Sequence, residues 1–135
     1  MDARDYLSQA FKINRRVRWL EKQLKLMKSE TVYTSPVYGD IKIQTNMTGS
    51  AVESAALRIV HLENQLQETR EELQNAVADI RSTIKRVGDT SMEALLEMRY
   101  LSFMDWDDVI DCIGYSRSYV FKLHSAALRR VKTLI

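Results

Sequence analysis

The chain has little of several residue types that define other classes of protein. Its 135 residues contain a single cysteine, Cys112, which excludes a disulfide framework and a cysteine-based metal site, and we expect its side chain to be buried. Glycine and proline together number five, which disfavours a turn-rich β fold. No apolar run reaches the ~20 residues of a membrane-crossing helix, and no signal-peptide pattern is present. We therefore expect an all-α protein of the cytoplasm with no membrane partner.

Features of enzymes are also scarce. The sequence has no glycine-rich phosphate loop, no His, Cys and Asp cluster at ligand spacing, and no nucleophile accompanied by a base. His61 is far from any second ligand. His124 could contact a phosphate, but we expect it to be a surface residue without a special role. The sequence predicts that the protein is not an enzyme and has no catalytic residue, metal or cofactor.

Charge is distributed unevenly, although the net charge is only +2. Residues 1–29 contain eight Lys and Arg against three Asp and Glu. Residues 91–113 contain six acids and one arginine, whereas residues 114–135 contain five Lys and Arg and no acid. Such segregation favours binding of a polyanion at the C-terminal end.

Apolar residues recur at steps of three and four in two long segments, which is typical of amphipathic helices. The pattern predicts a first helix over residues 2–28 and a second from a capping pattern at Ser50 to Gly88. A loop is predicted over residues 30–49, where no helical period is present. The first apolar stripe comprises Tyr6, Ala10, Ile13, Val17, Leu20, Leu24 and Met27. The second comprises Ile59, Leu62, Leu66, Leu73, either Ala76 or Val77, Ile80, either Thr83 or Ile84, and Val87.

Both long helices need a packing partner, because most helix stability in proteins comes from burial of an apolar face. They could pair as an antiparallel hairpin, or form a coiled coil with another copy of the chain. The sequence leaves both arrangements open, so we expect residues 1–88 to form an assembly region and homo-oligomerisation to be one of its uses.

Three shorter helices are predicted after Gly88. A capping box at Thr90 and Glu93 begins the first of them. Three aspartates begin the next, which Gly114 ends, and Ser116 caps the last. Two helices joined by a turn with a glycine are typical of a helix-turn-helix. Residues 89–135 are therefore predicted to be a three-helix DNA-binding domain.

In a helix-turn-helix the first residues of the second helix face base edges in the major groove of double-stranded DNA. Counted from the Ser116 cap, the predicted base-contacting residues are Arg117, Ser118, Phe121 and Lys122. The residues predicted for phosphates or flanking positions are Ser116, Tyr119, Ser125, Arg129, Arg130 and Lys132. This interpretation requires that Arg117 and Lys122 are exposed while Val120, Leu123 and Leu128 face the interior.

The C-terminal forty residues resemble region four of bacterial sigma factors. The resemblance is carried by Leu95 to Tyr100, Trp106 to Ile110, Tyr115 to Val120 and Leu123 to Val131. It implies base contacts by Arg117, Ser118 and Lys122, promoter DNA as the ligand, and RNA polymerase as a further partner. Residues 1–90 do not resemble a promoter-melting domain, and the overall layout is similar to ArpU-type late-transcription regulators of phages and prophages.

The sequence thus predicts a sequence-specific regulator of transcription, encoded by a phage or prophage. A DNA-packaging protein of the small-terminase kind is one alternative, because it also joins a helix-turn-helix to oligomerising helices. A coiled-coil adaptor that never binds DNA is the other alternative.

Overall fold

Every regular element in the described part of the chain is a helix. The computed structural model describes the backbone of residues 1–38 and 45–135 and the side chains of residues 1–29 and 53–135. The α-helices are α1 (Ala3–Leu7), α2 (Gln9–Tyr38), α3 (Thr45–Lys85), α4 (Thr90–Leu96), α5 (Trp106–Ile113) and α6 (Arg117–Leu134), and a π-helix spans Glu97–Leu101. This confirms the all-α fold. Within these residues, no helix combines the length and the apolar character that crossing a bilayer requires.

The ends of the long helices differ from the predicted ones. α2 continues to Tyr38 and α3 already begins at Thr45, before the predicted cap at Ser50. Helix therefore occupies much of the predicted loop over residues 30–49, and residues 39–44 lie outside the described part. Once a helix has nucleated, each further residue adds a hydrogen bond, so helices extend past weak local signals.

The chain forms two compact units, which we call the terminal unit and the middle unit. The terminal unit comprises residues 1–14 and 72–135, and the middle unit comprises residues 15–71. This partition differs from the predicted one, in which a boundary at residues 88 and 89 separates an assembly region from a DNA-binding domain.

In the middle unit, α2 and α3 lie side by side. Glu21 accepts a hydrogen bond from Arg70 at 3.2 Å, and the Lys28 ammonium lies 3.6 Å from a Glu63 carboxylate oxygen. The partner's number falls as the α2 residue's number rises, so these parts of the two helices run in opposite directions. Exposed ion pairs contribute at most about 1 kcal/mol each. Burial of apolar side chains such as Leu20, together with Val17 and Leu66, therefore stabilises the unit more.

The terminal unit has one apolar core that joins both ends of the chain. α1 packs against α6, and Leu7 is fully buried among side chains of α3, α4 and α6. The Tyr6 hydroxyl adds polar contacts to α3, with Asp79 at 2.7 Å and with Thr83 at 2.8 Å. The core comprises Ala3, Leu7, Ala10, Ile80, Ile84, Val87, Met92, Leu95, Leu96, Tyr100, Leu101, Val109, Val120, Leu123, Ala127 and Val131.

The connection from α3 to α5 contains three local departures from regular α-helix. Gly88 has a φ of 81°, in the left-handed region, and the side chain of Asp89 then caps α4 by accepting from the Met92 amide. The predicted cap at Thr90 was therefore one residue late. The π-helix widens the end of α4, and Phe103 follows with a φ of 58°. Together these features interrupt the regular α-helix between α4 and α5.

Candidate nucleic-acid interface

The turn from α5 to α6 has the geometry that the sequence predicts at Gly114 and Ser116, and Asp105, which was predicted in the first turn of α5, is the cap of that helix. The Asp105 carboxylate accepts from the Asp108 amide at 2.9 Å and caps α5. α5 ends at Gly114, whose φ of 80° lies in the left-handed region that glycine adopts without strain. The Ser116 hydroxyl then accepts from the Tyr119 amide at 3.2 Å and caps α6. The two capping side chains fix where α5 and α6 start, and the left-handed glycine fixes where α5 stops.

The inner face of α6 is held in the core of the terminal unit. Val120, Ala127 and Val131 are fully buried, and Leu123 is 7% exposed. Leu128 is half-buried at the edge of the same core. Burial of a valine or leucine side chain contributes roughly 1.5–3 kcal/mol, so this face determines the rotation of α6 about its axis.

All four residues predicted to contact bases are exposed on α6. Arg117, Ser118 and Lys122 point to solvent, and Phe121 is 38% exposed. An open concavity on this helix is lined by Ser118, Phe121, Lys122, Ser125 and Arg129. The structure therefore brings together three predicted base-contacting residues and two predicted flanking residues.

Arg117 lies outside this concavity and already has a partner. Its guanidinium donates to the carboxylate of Asp107 on α5, and the two side chains are 59% and 77% exposed. Because the pair is exposed, water and salt screen it and its net energy is small. Arg117 can exchange this carboxylate for another acceptor at little cost.

Phe121 is positioned by an aromatic cluster beneath it. Its ring centroid lies 5.0 Å from that of Trp106, and the Arg99 guanidinium lies 4.8 Å from the centroid of the same tryptophan. Arg99 also donates to the Met104 carbonyl at 2.9 Å. Phe121 thus presents one edge to solvent and packs the other against Trp106, a contact that its place on the outer face of α6 did not reveal.

The side chains predicted for phosphates or flanking positions differ in whether they already make a contact within the protein. Tyr119 is 48% exposed and packs edge-on against Tyr115 at 4.8 Å. The Arg130 guanidinium donates to the Val87 carbonyl at 3.2 Å, which ties α6 to the end of α3 and gives Arg130 a structural role. Lys132 is exposed, and Ser116 is occupied as the cap of α6.

His124 is buried, which corrects the expectation of a surface residue. It is 4% exposed, and its Nε2 lies 2.7 Å from the Tyr100 hydroxyl. Burial lowers the pKa of His124 to about 4, and the nearby charges of Arg4 and Arg99 act in the same direction. Its position four residues after Val120 and three before Ala127 could have revealed the burial, because that spacing places it on the inner face of α6.

Acidic side chains are concentrated on α5. Asp107, Asp108 and Asp111 are all exposed, and the charge of Asp105 raises the pKa of Asp108. Cys112, on the same helix, is exposed as well, so the expectation that it is buried was wrong. The charge segregation seen in the sequence thus becomes an acidic α5 followed by an α6 that contains no acid.

Comparison with known proteins shows the family. A family model described as "Protein of unknown function (DUF1492)" matches residues 32–132 of the 135. The chain belongs to this family. No curated protein and no solved structure matches the chain significantly.

Proposed function

We propose that the protein is a sequence-specific DNA-binding regulator of transcription, in which α5, the turn at Gly114 and α6 act as a helix-turn-helix. One observation carries the proposal. Ser118, Phe121, Lys122, Ser125 and Arg129 share an open concavity on α6, while the opposite face of that helix is buried. A helix held in this way can enter the major groove with its polar face toward the bases.

The exposed side chains have the chemistry that base contacts require. Lys122 can donate to O6 and N7 of guanine, and Phe121 can lie against a thymine methyl group. Arg117 can join them when it leaves Asp107. Arg129 and Lys132 are suited to phosphates, which position a protein on DNA without selecting a sequence.

The place of action follows from the resemblance to sigma region four and to ArpU-type regulators. We propose a phage or prophage origin and action at promoters together with RNA polymerase. The exposed acidic face of α5 near Asp107, Asp108 and Asp111 is the proposed polymerase contact. Because Asp107 pairs with Arg117, the test uses Asp108 and Asp111. Charge reversal at both positions should weaken capture of polymerase in a pull-down, and unchanged capture would exclude this surface.

Self-association is proposed from the middle unit. Leu57 and Val60 on α3 are 66% and 53% exposed, and exposed apolar side chains that lie close together favour a protein partner. Light scattering over a concentration series should show an oligomer, and a monomer throughout would remove this part of the proposal. A large closed ring would instead favour the packaging protein of the small-terminase kind.

The function is tested by selection of bound duplexes from a random pool with the full chain. We expect one enriched motif, whose affinity falls steeply as salt rises. Lys122→Ala should weaken binding to that motif by about 1–3 kcal/mol and relax preference at one base pair. Lys85→Ala, which removes an exposed lysine from α3, is the control and should leave the preference unchanged.

Three outcomes would contradict the proposal. A pool without an enriched motif would exclude sequence-specific binding, and absent salt-dependent affinity would favour the coiled-coil adaptor. Equal preference in the wild type and the Lys122→Ala variant would exclude α6 as the base-contacting element.

A further inference from the structure

The middle unit carries a row of basic side chains that the proposed base contacts do not use. Arg15, Arg18, Lys22 and Lys25 on α2 are separated by three, four and three residues, and all four are exposed. We call these four residues the cation stripe. At 3.6 residues per turn they lie within an arc of about 80° and extend for about 15 Å along the helix.

The cation stripe faces solvent because the other side of α2 is fixed. Val17 and Leu20 are 5% and 6% exposed, and they lie on the opposite face of the helix from the middle of the stripe. α2 cannot rotate its cations toward the interior without exposing these apolar side chains.

No carboxylate of the described residues forms an ion pair with the cation stripe. The acid nearest to it in sequence, Glu21, pairs with Arg70 instead, and Lys28, beyond its end, pairs with Glu63. Like charges three and four residues apart on a helix repel each other. Four cations in one row, without an ion pair to any carboxylate whose side chain the structure describes, are therefore suited to a partner with a row of negative charges.

We propose that the cation stripe binds the phosphate backbone of double-stranded DNA and so forms a second, sequence-independent contact surface of the protein. The proposal rests on the proposed function and adds to it. Duplex DNA carries a negative charge about every 1.7 Å along its axis, so a row about 15 Å long meets enough phosphates for all four cations. Trp19, 60% exposed beside the stripe, can pack against the sugars.

The apolar residues of α2 favour DNA over an anionic membrane as the partner. A helix that lies in a membrane surface sinks a continuous apolar face into the lipid. The continuous apolar face of α2 is the one that packs inside the protein. Among the α2 residues whose side chains the structure describes, Phe11, Trp19 and Leu26 are large, apolar and exposed, and because they lie seven or eight residues apart they form no continuous apolar face.

The test is the salt dependence of DNA binding by the full chain. Replacement of all four cations by glutamine should reduce the slope of log K against log salt by about 3.6, because each lost phosphate contact removes about 0.9. Between 50 and 200 mM salt, the variant should therefore lose about 150-fold less affinity than the wild type. The ratio of affinities for the selected and a scrambled duplex should stay the same.

A matched pair of double variants distinguishes the effect of the cation stripe on DNA binding from the effect of net charge. Arg18→Gln with Lys22→Gln should reduce the slope by about 1.8, whereas Arg58→Gln with Lys85→Gln, which removes two exposed cations of α3, should leave it unchanged. Circular dichroism of each variant verifies that it retains its helix content.

Each outcome supports or overturns the proposal. An unchanged slope in the fourfold variant, while Lys122→Ala still weakens sequence preference, would overturn the stripe and leave the proposed function standing. A reduced slope in a protein without sequence preference would support the stripe and overturn the proposed function. The protein could instead co-sediment with phosphatidylglycerol vesicles in a way that depends on the cation stripe, while the slope of log K for DNA against log salt stays unchanged in the fourfold variant. That result would assign the surface to lipid and overturn the proposal.

Discussion

Protonation of His124 should destabilise the fold in mild acid. The imidazole lies between Tyr100 and Trp106, with its ring centroid 5.8 Å and 4.7 Å from theirs, and no carboxylate is among the groups that shift its titration. Its pKa in the folded protein is about 4, below the value of 6.5 in an unfolded chain. The unfolded state therefore binds the proton more tightly.

The sign and the magnitude follow from this difference in pKa. A group whose folded pKa is depressed contributes stability above its unfolded pKa, and that contribution is lost as the pH falls from 6.5 toward about 4. Between pH 7 and pH 5 the loss from His124 alone is about 2 kcal/mol. That is a large part of the stability of a domain of this size.

Urea unfolding at pH 7, 6 and 5, followed by circular dichroism, measures this loss. His124→Gln removes the titration and should make the free energy of unfolding less dependent on pH by about 2 kcal/mol over this range. His61→Gln, which changes the other, exposed histidine, is the control and should follow the wild type. The carboxylates contribute equally to the pH dependence of all three proteins, so their contribution cancels in the comparison. Parallel curves of unfolding free energy against pH for the wild type and His124→Gln would refute the depressed pKa of His124.

Two further changes test the turn and the start of α6. Gly114→Ala should lower the free energy of unfolding by about 1–2 kcal/mol. A Cβ at this position meets no atom within 4 Å, so the cost comes from the φ of 80° alone. Unchanged urea unfolding would mean that the turn adopts another conformation. Asp107→Asn should tighten DNA binding by less than about 1 kcal/mol, because it frees the Arg117 guanidinium, and weaker binding in a mobility-shift titration would show that Asp107 itself contacts DNA.

Local signals predicted local structure well. The cap at Ser116 and the helix end at Gly114 were correct, because a side chain that accepts from an amide three residues away and a glycine with positive φ are determined within one turn. The shift from Thr90 to Asp89 at the cap of α4 shows the limit of such signals. Both residues can cap a helix, and in the structure the Asp89 carboxylate accepts from the amide of Met92, whose side chain is buried.

Contacts between distant parts of the chain could not be predicted. Periodicity indicated that Ala10 and Ile80 are buried, but it cannot say against which element an apolar face packs. The structure places both in one core with Val120 and Val131, so the unit that contains α6 also includes the first residues of the chain. A boundary at residue 88 therefore divides the segments that hold α6 in place.

Trp106 connects the core to the proposed base contacts. Trp106 packs against both Phe121, which lies in the exposed concavity, and His124, which lies in the core one turn below it. Lys122 lies between these two residues in sequence, so the packing that fixes them also fixes the direction in which its Cα–Cβ bond leaves the helix. A charge on His124 would first disturb this packing. Only through that change would it affect the solvent-exposed residues. Recognition of bases by α6 should therefore weaken with falling pH in parallel with stability, although none of the four proposed base-contacting side chains is a histidine.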